Sequence, residues 1–324
     1  MSNVIQQTAT AATAAAERVA GHIERTGLIH SRAFGDDMAA NVFFKLENRQ
    51  TTGSFKLRGA TNRLMTLTED ERARGCVAAS SGNHGAAVAC AMQKFGTVGV
   101  IFVPEQTSDL KVDKIRSYGG DVRYFGTDGL DTEKHAREYA AENGMLYLSP
   151  YNDDQVIAGQ GTCGIEILEQ LPDIDAVFIA VGGGGLIGGV GSVLKAHNAD
   201  IRVYGCQPKA SAVMARSIEA GEILDMPSEP TLSDGTAGGI EPGAVTFQLN
   251  QAVVDDFIIV DERQIADAMR LYMRREEQPI EGAAGVAVAG LLASKEKVTG
   301  QNVVVIICGS NITDDKLAAV MDGA

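Results

Sequence analysis

Lys56 stands in Ser54-Phe55-Lys56-Leu57-Arg58-Gly59-Ala60, where the turn Thr52-Gly53 hands over to a helix. An amine held near a helix N-terminus feels its partial positive charge, which favours the neutral form and so a Schiff base with an aldehyde cofactor. The same lysine taken alone reads equally as a solvated charge. A second segment, Ser80-Ser81-Gly82-Asn83-His84-Gly85, follows the apolar run Cys76-Val77-Ala78-Ala79 and precedes the small-residue stretch from Ala86 to Ala91. A strand ending in Ser, Ser, Gly and Asn before a helix aims N–H groups and hydroxyls outward, which suits a carboxylate. A Ser N-cap followed by an Asn turn would give the same pattern without any ligand.

Two further segments carry chemistry. Gly182-Gly183-Gly184-Gly185-Leu186 follows the buried-strand pattern Ala176 to Ile179, and four bare residues let the backbone approach a phosphate at a helix start. Gly183, Gly185 and Gly188 also fit a dinucleotide fingerprint, but the next strand, Ile201 to Cys206, ends at Gln207 rather than at the acidic residue a ribose requires. The strand Val303 to Ile307 stops at Cys308-Gly309-Ser310-Asn311. Ligands gather at the carboxyl ends of strands in an open α/β sheet, so Cys308 or Ser310 faces the same crevice and meets a ring nitrogen. A small buried hydrophobe is the other reading of Cys308.

In this order the four segments resemble the fold type II pyridoxal phosphate enzymes, and within them the serine/threonine dehydratase and serine racemase group. The resemblance runs from about Ala20 to Ile312 and takes in Lys45-Leu46-Glu47 and Ile280-Glu281-Gly282-Ala283. It implies that Lys56 forms the Schiff base and that Phe55 packs against the cofactor ring. Asn83 binds the ring's 3-oxygen, and Ser80, Ser81, Asn83 and His84 lie where the substrate carboxylate is held. Gly182, Gly183, Gly184, Gly185 and Leu186 map onto the phosphate cup, and Cys308 takes the place of the usual serine at the pyridine nitrogen. The implied fold is α/β, similar to the tryptophan synthase β chain: two open parallel-sheet lobes with pyridoxal 5'-phosphate in the cleft. Residues 1–74 and 149–324 form the large cofactor-binding domain, and 75–148 a small inserted one.

A neutral partner at the ring nitrogen makes the ring a weaker electron sink than a carboxylate partner would, so elimination of a β-leaving group coupled to proton removal is the easier course. The expected activity is that of a dehydratase, or ammonia-lyase, converting L-threonine or L-serine to a 2-oxo acid and ammonia, with the freed Lys56 taking the α-proton. In the racemase-like relatives a serine at the position of Ser81 is placed to protonate the opposite face, a resemblance that keeps open a serine or other amino acid racemase. The alternatives are a dehydratase for 3-hydroxyaspartate or phenylserine and, from another class, a non-catalytic cofactor-binding protein, against which the retention of all four motifs argues. Relatives activated by magnesium or calcium carry a glutamate before the proline that here is Pro208, and a second carboxylate further on. Gln207 and Val213 stand there, so no metal site is expected.

Composition agrees. Lys and Arg total 28 against 42 Asp and Glu, a net charge of −14 that repels nucleic acid and anionic membranes. The five cysteines are scattered and show no paired metal spacing, consistent with reduced thiols in a cytoplasm. A small amino acid and a second copy of the chain, as a homodimer, are the expected partners. Thr8 to Ala16 reads as a frayed helix rather than a signal peptide, and no run reaches membrane-spanning length.

The elements that position these residues alternate strand and helix: strands at 98–103, 122–125, 176–181, 201–206, 257–260 and 303–308. Such alternation argues for parallel sheets covered by helices. The stretch from Asp234 to Gly239 is a cleft loop or a surface turn. His30, His135 and His197 read as solvated, and Arg58 and Arg63 as a solvated face. Glu281 reads either as the cofactor's polar edge or as a helix N-terminal carboxylate.

Overall fold

Runs of β-branched and small apolar residues build two sheets. The computed structural model describes residues 2–323, and its strands are β1 (Leu28–Ser31), β2 (Asn41–Lys45), β3 (Cys76–Ala79), β4 (Gly99–Val103), β5 (Asp121–Tyr124), β6 (Leu146–Tyr147), β7 (Ala176–Ala180), β8 (Arg202–Pro208), β9 (Asp256–Val260) and β10 (Asn302–Ile306). One sheet runs β1-β2-β10-β7-β8-β9 and the other β5-β4-β3-β6. Every pairing is parallel except β1 with β2. The chain is therefore an α/β protein of the doubly covered kind. β1, β2 and β6 are absent from the sequence reading, because short runs such as Leu146-Tyr147 carry too little pattern to register.

Alternation along the strands sorts the helices to the two faces of each sheet. In the six-stranded sheet Gly205 faces Ile187 of the helix Gly185–His197, whereas its neighbour Cys206 faces Gly290 of the helix Gly282–Leu292. The second of these helices is apolar all round and fully enclosed, packed between the sheet and the helix Glu262–Glu276. In the four-stranded sheet Cys76, Ala78, Ile101 and Val103 pack under the helices Asn83–Phe95 and Asp109–Ser117. Val77, Val100 and Phe102 meet Ala136 and Ala140 of the helix Gly129–Glu142 on the opposite face.

The helix Lys56–Met65 sits between the sheets. Its Leu57, Ala60 and Leu64 join the core beneath the four-stranded sheet, and it also packs along the helix Asp154–Gln170. Its first residue is thereby fixed against both. The N-terminal segment departs from the expected frayed helix: Asn3–Val19 is one continuous helix that buries Ile5, Ala9, Ala12, Ala15 and Val19 against Asp154–Gln170 and Gly185–His197. Alanines spaced three and four apart give a flat face that lies close on small residues such as Gly161.

Candidate active site

Lys56 opens its helix from a turn that is laced to the end of β10. Phe55 N–H donates to Cys308 O at 3.0 Å, Ser310 N–H donates to Gly53 O at 3.0 Å, and Ser54 bridges Gly309. Cys308 is buried two residues beyond the strand's end, so the thiol and the amine share one crevice. Lys56 Nζ donates to Pro150 O at 2.8 Å and lies 5.2 Å from the centre of the Phe55 ring. Burial lowers its pKa to about 8, against the opposing pull of Cys308 and Glu281. Burial, with Glu281 adding to it, pushes the Cys308 thiol well above the ordinary thiol range, so it stays protonated.

On one side of Lys56 the start of the helix Asn83–Phe95 meets Glu281. Asn83 Nδ2 donates to both carboxylate oxygens, at 2.9 and 3.0 Å, and Asn311 N–H adds a third bond at 3.0 Å. Asn311 Nδ2 donates in turn to Asn83 Oδ1 and to Thr52 O, and Lys114 Nζ reaches Asn311 Oδ1. Burial outweighs these donors and raises the Glu281 carboxyl to about 7. His84 is enclosed with its Nε2 2.8 Å from Leu148 O, and burial, then Lys56, lowers it to about 3. The ring is neutral, and what His84 offers the crevice is its backbone N–H in the helix's first turn. Ser80 and Ser81 are half-buried in the preceding turn, where Ser80 Oγ accepts from Gly82 N–H at 3.2 Å.

On the other side lies the glycine loop. Gly184 is the N-cap of Gly185–His197 with φ +86°, a backbone that glycine alone adopts readily. A Cβ on Gly183 would fall 2.3 Å from the Tyr151 ring, and one on Gly184 would fall 1.8 Å from Asn250 Nδ2. The loop is thus a bare backbone cradle at the start of a thirteen-residue helix, an arrangement made for an anion. Pro150-Tyr151 spans the gap, one residue holding Lys56 and the next lying on Gly183. The stretch from Asp234 to Gly239 closes the cleft: Thr236 backbone would lie 3.0 Å from a Cβ on Gly182, and a Cβ on Gly235 would lie 3.5 Å from Glu281 Oε1.

The structure corrects several sequence readings. Arg58 is fully buried, paired with Glu47 and Glu166, rather than on a solvated face. Arg63 pairs with Asp153 at 2.8 Å. His135 stacks on Phe125 with ring centres 3.6 Å apart, while His30 and His197 are exposed. Glu281 is the N-cap residue of its helix, as the helix N-terminal reading has it, with its carboxylate turned to Asn83 and Asn311. Gln207 spends both amide ends on backbone, donating to Val181 O and accepting from Ala215 N–H. Among the described residues no cluster of three or more His, Cys, Asp or Glu side chains is placed to hold a metal. Sequence reasoning missed Tyr151, Lys114 and Asn250. Asn311 sat inside a quoted motif without a role, and its place just past a strand's carboxyl end was the signal available.

Comparison with known proteins gives a consistent answer. The family described as pyridoxal-phosphate dependent enzyme matches residues 19–309. The chain is 40% identical over 290 residues to the L-threonine ammonia-lyase of Thermotoga maritima, spanning 90% of this chain and 72% of that one. To the catabolic L-threonine dehydratase of Escherichia coli it is 38% identical over 310 residues, 94% of this chain and 93% of that one. The processed form of threonine deaminase isoform 2 from Solanum lycopersicum superposes with a TM-score of 0.94 at 34% identity, covering 100% of this chain and 94% of that structure. Maize serine racemase superposes at 0.90 with 31% identity, covering 97% and 96%.

Proposed function

The chain belongs to the pyridoxal-phosphate dependent enzymes, and within that family we propose that it is an ammonia-lyase converting L-threonine or L-serine to the 2-oxo acid and ammonia. One observation carries the reading. An amine with its pKa brought down to about 8 stands at a helix start between a neutral-leaning carboxyl and a bare glycine cradle. The residues present fit the cofactor: the cradle takes a phosphate, Cys308 is a neutral group for the ring nitrogen, and Asn83 with Phe55 borders the ring. When bound, pyridoxal phosphate supplies the electron sink that lets the substrate's α-proton leave.

The chain's own groups do the rest. Lys56 is the base we assign to the α-carbon, because an amine near pKa 8 is appreciably neutral at physiological pH and yet holds a proton once it has taken one. Gly182, Gly183, Gly184, Gly185 and Leu186 fix the phosphate end. Ser80, Ser81 and the N–H groups of Asn83 and His84 orient the substrate carboxylate, which points the α-hydrogen at Lys56. Cys308 stays a thiol and adds no charge at the ring, favouring elimination over a long-lived carbanion. Gln207 leaves no carboxylate for a divalent ion, so metal plays no part in this reading.

We further place residues 1–74 and 149–324 in a cofactor-binding lobe and 75–148 in a smaller one, and the enzyme in the cytoplasm as a homodimer. Five free thiols support a reducing compartment. No helix among the described residues is long and apolar enough to cross a membrane. The deciding experiment is a panel of L-threonine, L-serine, 3-hydroxyaspartate and phenylserine assayed for ammonia and 2-oxo acid. Ammonia from none of them sinks the proposal. A second reading, amino acid racemisation, is favoured by the half-buried Ser81 in the turn before Asn83 and by the likeness to a serine racemase. Chiral analysis of recovered substrate from the parent and from Ser81→Ala separates the two, since loss of racemisation with elimination intact assigns Ser81 the opposite face.

A further inference from the structure

The helix Val245–Val253 packs on Gly185–His197 and carries two fully buried polar side chains one turn apart, Thr246 and Asn250. Neither the Thr246 hydroxyl nor either amide atom of Asn250 has a hydrogen-bond partner among the described residues. Buried polar groups are almost always satisfied, so three unpaired atoms on one helix face mark a place where something else engages them. Gln207 on β8 makes the contrast, equally enclosed and satisfied at both ends.

The place is the glycine loop. Asn250 Nδ2 occupies the space that a Cβ on Gly184 would need, and Oδ1 lies 3.0 Å from where a Cβ on Gly188 would stand. The amide therefore reaches the N-cap and the first turn of Gly185–His197, where the unpaired N–H groups of the helix converge. No motif of the sequence pointed to it.

We propose that Asn250 is a phosphate-binding residue of the cofactor site, donating from Nδ2 to the anion that the glycine loop holds, with Thr246 completing the same polar floor. The ligand class is a phosphate monoester dianion. A neutral amide suits it as the loop's N–H groups do, by directed hydrogen bonds rather than by a counter-charge. The pair makes the site favour the phosphorylated cofactor over the bare aldehyde. This rests on pyridoxal phosphate being the cofactor.

The test is to strip the full-length protein of cofactor and titrate it with pyridoxal phosphate and, separately, with pyridoxal, following the visible absorbance of the reconstituted protein. In Asn250→Leu the affinity for pyridoxal phosphate should fall roughly ten-fold or more, the scale of a lost hydrogen bond to a charged group, while pyridoxal binding holds. Inorganic phosphate should also lose its power to compete. Thr246→Val should shift the same ratio by a smaller factor. Equal losses for both aldehydes, or no loss for either, overturns the proposal. If Asn250→Leu does not fold, the near-isosteric Asn250→Asp decides: a carboxylate in the floor should repel the phosphorylated cofactor and spare pyridoxal, and an unchanged ratio refutes the assignment. A parent protein that develops no visible band with either aldehyde would instead overturn the cofactor assignment itself.

Discussion

Two buried polar clusters flank the Lys56 turn, and they solve the problem of enclosure in opposite ways. Beneath it, Arg58 forms four bonds of 2.6 to 2.9 Å with the carboxylates of Glu47 and Glu166. Lys45 Nζ adds bonds to Glu166, Gln170 and Thr26 O, and Thr26 Oγ1 donates to Glu47. Two cations thus face two carboxylates at ion-pair distance. Burial pushes Glu47 upward, but the Arg58 guanidinium outweighs it and holds the carboxyl below its usual range. In the crevice above, Lys56, Glu281, His84 and Cys308 are each driven toward the neutral form by burial that outweighs what their partners return. A balanced cluster keeps its protons where they are. An unbalanced one has groups that can exchange them near neutral pH, which is what acid–base chemistry requires.

Breaking the balanced side should have the largest effect. Arg58→Met leaves Glu47 and Glu166 buried and facing each other, and we expect a loss of about 3–5 kcal/mol in denaturant unfolding. A variant as stable as its parent would erase the distinction between the clusters. Lys56→Ala should do the reverse. Stability holds, because a desolvated amine is removed, while ammonia release drops roughly a thousand-fold or more and the cofactor stays weakly held by the glycine loop. Turnover near that of the parent would end the assignment of Lys56.

Glu281 sharpens the comparison through pH. Its folded value of about 7 lies above the ordinary 4.5, so below pH 4.5 the proton is on in both folded and unfolded chains. As pH rises toward 7 the unfolded chain releases that proton and the folded chain keeps it, so the native carboxyl costs stability, fully so above pH 7. Glu281→Gln should therefore melt with the parent at about pH 4 and gain about 1–3 kcal/mol at about pH 8, with activity reduced. A gain at the acid end instead would put the sign wrong. The smallest effect belongs to Cys308→Ser, which exchanges one neutral partner for another and should keep turnover within a few-fold of the parent. A dead variant that still binds cofactor would contradict a neutral partner at the ring.

The four chemical segments were legible because each packs its chemistry into a few consecutive residues at the end of a strand or the start of a helix. The core strands read well for a similar reason, as in the β-branched run Val303 to Ile307. Arg58 misread because its burial depends on Glu47 and Glu166, 11 and 108 positions away. The N-terminal helix looked frayed because nothing local shows which helices cover an alanine face. Tyr151 and Asn250 belong to no motif, and each matters only through a glycine that leaves room for it. Local pattern names the groups, and the tertiary fold decides which keep their charge.

The lacing of the Lys56 turn to the residues after β10 also bears on the order of events during synthesis. Phe55, Ser54 and Gly53 take their places only against Cys308, Gly309 and Ser310, more than 250 positions later in the chain. A ribosome must therefore release the chain as far as Ser310 before the amine at position 56 has a fixed address. Shorter nascent chains present an ordinary lysine, and under the role we propose for Lys56 aldehyde capture waits for a completed sheet.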